Sequence, residues 1–208
     1  MNANTEDPAA DIAWMRRLAE EGAQAPMQGA SILFGAGLIW GLASLGHWAI
    51  TSRTLPIGSE AINYVWLGGA AVFAVLLIAV LTRLKREGGV QTAANRAVGT
   101  AWSAVGWGVF ALGVSMAALG WRLGEVAVTV GFALIPSMIM VAYGSGWAVS
   151  ATMLRSRGMW WLAIASFAAA PALAALTGMA EQYLAYAAAL FLLMALPGFR
   201  LMQAAKRG

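Results

Sequence analysis

Six apolar runs, each long enough for a helix to cross a bilayer, constrain this chain more than any other feature. A spanning helix needs about 20 apolar residues for a hydrocarbon core of about 30 Å. The runs cover Met27 to Ile50, Ile62 to Leu81, Val98 to Trp121, Val126 to Met153, Met159 to Leu176 and Glu181 to Phe199. Within a bilayer, only helices and closed barrels satisfy every backbone polar group. Continuous apolar runs of this length are helical rather than alternating strands. The fold class is therefore all-α, a polytopic membrane bundle of six transmembrane helices preceded by a short amphipathic N-terminal helix. The chain divides into residues 1–26, a cytoplasmic N-terminal segment; 27–199, the six-span transmembrane domain; and 200–208, a short basic cytoplasmic tail.

Composition agrees with this reading and narrows the chemistry. Of 208 residues, 61% are hydrophobic and 11% charged, whereas an ordinary soluble domain is about 25% charged. There is no cysteine, which excludes thiol catalysis, Cys-ligated metal and disulfide stapling. The single histidine, His47, cannot build a two-His metal or haem site within one chain. Gly144-Ser145-Gly146 sets a serine between glycines, but no histidine follows residue 47 to serve as its base. No cofactor or metal is expected, and the reading is non-enzymatic. A net charge of +4 does not indicate nucleic acid, because the basic residues lie scattered between apolar runs instead of along one polar face.

Their placement predicts orientation. If the N-terminus is inside, the inner segments hold Arg16, Arg17, Arg83, Lys85, Arg86, Arg96, Arg155, Arg157, Arg200, Lys206 and Arg207; the outer loops hold only Arg53 and Arg122. Short cytoplasmic loops carry such an excess. The expected location is thus the plasma (inner) membrane, multi-pass, with both termini cytoplasmic. Met1 to Asp7 is acidic and polar, without the positive start of a signal peptide. Residues 11–22 read as an amphipathic helix, with Ile12, Met15, Leu18 and Ala19 on one face.

Aromatic residues mark the interfaces. Trp48, Tyr64, Trp66, Trp121 and Tyr183 fall near the outer boundary, and Trp102, Trp147, Trp160 and Trp161 near the inner one. Trp40 and Trp107 sit deeper, either as a ligand-stacking pair or as ordinary packing. Gly37/Gly41, Ala104/Gly108 and Ala142/Gly146 are small-xxx-small steps, the spacing that lets membrane helices approach closely.

Two groups of residues are candidate sites. Pro136, Gly144, Ser145 and Gly146 interrupt the fourth span, which makes them a candidate hinge or solute site. The simpler reading is a static kink satisfied by Ser137, Ser145 or a neighbour. His47, Glu60, Glu125 and Glu181 form a candidate outer-face polar cluster. Each of the three acids precedes a helix start, where the macrodipole and orphan N–H groups favour a carboxylate without any ligand. No ionisable residue lies at mid-span, which argues against a proton relay through side chains.

Two functions fit. One is a structural, accessory or regulatory component that contacts membrane lipids, other membrane proteins or itself. The alternative is a small transporter or channel for a neutral or apolar solute that uses the Pro136/Gly144/Gly146 break.

Overall fold

In the computed structural model, residues 12–14, 29–87 and 92–207 are described. Six helices in this part are long and apolar enough to cross a membrane. They are α1 (Ala30–Thr51), α2 (Ala61–Glu87), α3 (Ala93–Leu123), α4 (Glu125–Met153), α5 (Arg157–Ala175) and α6, which runs from Glu181 to Arg207. α6 has three parts: Glu181–Leu190, a π-helical turn Phe191–Ala195, and Leu196–Arg207. Residues read from sequence as a short basic tail therefore continue this helix. Residues 12–14 are helical and exposed; the remainder of the amphipathic helix expected over 11–22 lies outside the described residues.

Helix ends follow local chemistry. Thr92 caps α3 by accepting a hydrogen bond from the Asn95 N–H at 3.1 Å, and Ser156 caps α5 by accepting from the Met159 N–H. Lys85 and Arg86 occupy the last turn of α2, where cations complement the helix dipole. The turn between α3 and α4 is a single residue, Gly124, with φ 78° and ψ −172°. Only glycine adopts this region without strain. The expected tight hairpin at residues 122–125 is thus present, and α3 begins five residues before the apolar run that marks it.

The helices pack as two threes. α1 lies between α2 and α6, while α4 lies between α3 and α5; α5 and α6 meet along a narrower seam. Buried residues of α4, α5 and α6 join in one apolar core around Met140, Trp147, Leu173, Leu190 and Met194. By contrast, among the residues whose burial is described none of α2 is buried, and on α3 only Asn95 and Val98 are.

The three small-xxx-small steps have three different fates. Gly37 and Gly41 meet α6: a Cβ at Gly37 would run into the backbone N of Ala195, and one at Gly41 into the ring of Phe191. Gly198 repays the approach from the other side, since a Cβ there would strike the backbone of Phe34. Ala142 and Gly146 sit against α3, with the Trp102 indole 3.2 Å from a Cβ placed at Gly146. Gly108, however, has no atom within 4 Å.

Overpacking a filled core costs about 1–3 kcal/mol, and backbone cannot yield as a side chain can. Gly37→Val and Gly198→Val should therefore each lower the midpoint of unfolding in a detergent titration, whereas Gly108→Ala should leave it in place. Equal effects at all three positions would sink the seam.

Candidate functional site

Pro136 lies within α4 and supplies no N–H to its helix. Next to this break a donor enters from α6. Gln182 is 1% exposed, and its Nε2 donates to the Ala133 carbonyl at 2.7 Å and to the Leu173 carbonyl at 3.0 Å. Ala133 lies one turn before Pro136. Leu173 is in the last turn of α5, where its carbonyl also accepts the Leu176 N–H at 3.2 Å. One amide thus ties three helices together. Thr177 Oγ1 lies 3.4 Å from the same nitrogen. Ser137, expected to help satisfy the break, instead keeps a buried Oγ without a partner. Ser145 is exposed and donates to the Val141 carbonyl of its own helix.

The other two members of this candidate site are packed. A Cβ at Gly144 would meet the Phe167 ring at 2.8 Å. Ser145 and Gly146 border a groove of about 500 Å³ between α3 and α4, lined also by Ala101, Ala104, Gly108 and Ala142. Ser145 is the one polar side chain in that lining.

A proline-freed carbonyl that a side chain does reach occurs in α6. Pro197 withholds the N–H that would reach Leu193 four residues back. The Trp147 indole on α4 supplies the donor, Nε1 to the Leu193 carbonyl at 3.0 Å. Trp147 is completely buried, so the sequence-based place for it at a headgroup boundary is corrected: its N–H is used inside the bundle. Beside it, Trp102 Nε1 donates to Ser150 Oγ, which donates in turn to the Gly146 carbonyl. The exposed Trp121, Trp160 and Trp161 keep the character of interface residues.

His47 joins three helices at the end where α1 and α2 connect. Trp66 Nε1 of α2 donates to His47 Nδ1 at 3.0 Å. An indole N–H can only donate, so Nδ1 carries a lone pair and the neutral imidazole holds its proton on Nε2. Tyr183 of α6 stacks on the face of the imidazole, with centroids 3.5 Å apart. The three acids sit where helix starts require. Glu60 immediately precedes α2, while Glu125 and Glu181 are the first residues of α4 and α6. Among the described residues, no group of three His, Cys, Asp or Glu is placed to hold a metal ion. His47 makes its polar contact with Trp66, not with an acid. Trp40 stacks on Trp66 at 5.8 Å, and Trp107, 70% exposed, pairs with Phe110. These two deep tryptophans therefore belong to separate pairs.

Sequence reading passed over Gln182 and the Pro197–Trp147 pair. The signals were present: a long amide at the head of an apolar run, and a proline with a glycine inside one. No family model, curated protein or solved structure matches the chain.

Removing the donor from a buried carbonyl costs about 1–3 kcal/mol. Trp147→Phe should destabilise the bundle by that amount in a denaturing-detergent titration. Trp161→Phe, at a 70% exposed position, should change nothing measurable.

Proposed function

We propose that this protein is a non-enzymatic structural, accessory or regulatory component of the plasma (inner) membrane that acts by receiving other apolar helices. The observation that carries this reading is the open glycine face of α3. Gly99, Gly106 and Gly113 recur every seven residues, and none has an atom within 4 Å of where a Cβ would stand. Such a spacing keeps them on one side of the helix. Glycine gains nothing from facing lipid, whereas it allows another helix to approach closely. Phe110 and Val114 flank this face and are exposed. The partners are other membrane proteins, a second copy, or lipid. The non-enzymatic reading rests on the inventory of side chains, which has no thiol and only one imidazole.

Orientation belongs to the same proposal. Eleven of the 13 basic residues precede α1 or lie on the side of the 88–92 and 154–156 connections and the end of α6. That side is cytoplasmic by the positive-inside rule, so both termini are cytoplasmic.

Because the chain lacks cysteine, single-cysteine variants report without background. Ser59→Cys should react with a membrane-impermeant maleimide on intact cells, and Gly158→Cys only after lysis. The reverse pattern would refute the orientation.

For function, a photocrosslinking residue at Phe110 in native membranes should yield a discrete adduct. Gly106→Leu should abolish the adduct while leaving expression unchanged, since a side chain there meets no atom of its own bundle. An absent adduct, or one indifferent to Gly106→Leu, would overturn the reading.

A further inference from the structure

α3 and α4 touch where Trp102 packs on Gly146, and beside that contact they leave the groove of about 500 Å³. On α3 it runs from Ala101 to Leu112, and on α4 from Ala142 to Val149. At about 1.5 Å per residue, the α3 wall is about 16 Å long. That is close to half of a hydrocarbon core of about 30 Å, the share of one leaflet. The helix itself fixes where the groove begins. Val149 stands one turn before Met153, the last residue of α4, on the side of the 154–156 connection. Thr152 and Met153 continue the face of Val149 to that end and are exposed. At the other end, Leu112 stops well short of the Gly124 turn.

Size and lining select what can lie there. Spread over about 16 Å, about 500 Å³ gives a mean cross-section of about 30 Å². A helix about 10 Å across has a section of about 80 Å² and cannot enter. A methylene chain can. Ser145 is the one polar side chain in the lining, and its hydroxyl proton is already given to the Val141 carbonyl of its own helix. The lining therefore has no free side-chain donor for a polar solute.

Charge selects the head of the molecule. The end of the bundle that the groove approaches carries Arg96, Arg155 and Arg157, all exposed. The one acid of the α3–α4 hairpin, Glu125, stands at the far end. Basic sites between membrane helices take anionic headgroups.

The geometry points to a phospholipid site: the groove holds one acyl chain of an anionic phospholipid whose headgroup lies at Arg155. The lipid belongs to the leaflet on the side of the 154–156 connection, which the orientation proposed above makes the cytoplasmic one. The site is separate from the glycine face of α3. Gly108 lines the groove, and Gly106 is two residues away, so the two point to opposite sides of the helix.

The test is native mass spectrometry of the full chain in detergent, titrated with dioleoyl phosphatidylglycerol or dioleoyl phosphatidylcholine. A micelle has no leaflets, so the result does not depend on orientation. The parent should carry one phosphatidylglycerol per chain at about one-fifth of the concentration that phosphatidylcholine needs, the effect of one arginine near a headgroup. Arg155→Gln should erase that difference and leave phosphatidylcholine binding as it was. Gly108→Leu and Ser145→Leu each put a side chain into the groove and should abolish the adduct with both lipids. Gly108 has no atom within 4 Å of its Cβ position and Ser145 is exposed, so both variants keep the fold, which an unchanged unfolding midpoint checks. Gly106→Leu, on the other side of α3, should bind as the parent does. Equal binding of the two lipids by the parent would overturn the site. So would an adduct that survives both filling variants, or one lost in Gly106→Leu. A dimer in the same spectra that Gly108→Leu dissociates would give the groove to a second copy instead.

Discussion

The close approach of two backbones, α1 against α6, is the contact on which the rest of the bundle depends. In lipid, apolar surface gains little by leaving one hydrocarbon for another, so helices associate through packing and hydrogen bonds. Packing of that kind needs glycine where the axes come nearest. Gly37 sits under the backbone of Ala195, Gly41 under the Phe191 ring, and Gly198 under the backbone of Phe34. These pairs run antiparallel and place the π turn Phe191–Ala195 against the middle of α1. With α6 held there, its next face presents Leu190 and Met194 to α4, and the shared core follows.

Side chains carry the hydrogen bonds between helices inside the bundle. Of the prolines inside helices, Pro136, Pro171 and Pro197, two lie next to carbonyls that side chains of neighbouring helices bond. Trp147 serves Leu193 below Pro197, and Gln182 serves Ala133 below Pro136. Irregular backbone is tolerated at membrane depth only on such terms. At Pro197 the break in one helix therefore also serves as a socket for another. His47 repeats the theme with side chains alone, since its lone pair receives the Trp66 N–H. Each of these bonds ties α6 or α2 to a central helix, and for α2, none of whose described residues is buried, the Trp66–His47 bond is one of the contacts that hold it.

How far the sequence could be read depended on whether a feature is local. Span number, the tight turn at Gly124 and the helix starts at Glu60, Glu125 and Glu181 are set by hydropathy over about 20 residues and by end effects within one turn. All were legible. The Gly37/Gly41 step was legible as a place of close approach, but so was Ala104/Gly108, which faces an open groove. A spacing of four residues is the same whether or not a neighbour arrives. Trp147 shows the limit most clearly. Its distance along the chain from Arg155 matches a headgroup position, yet its ring turns inward because Leu193 offers a carbonyl that no backbone N–H four residues on can fill.

By itself, then, the sequence determined an all-helical, six-span chain with most of its basic residues on one side and no Asp, Glu, Lys or Arg at mid-span. These properties follow from transfer free energies, and those are summed residue by residue along the chain. Only the tertiary structure decided which glycines are covered, that α3 and α2 stay open, and that Gln182 of α6 reaches across to both α4 and α5. Those outcomes depend on which helix stands beside which. In a bilayer that choice is made by shape and by a few unsatisfied carbonyls, and neither is written in the hydropathy of any single span.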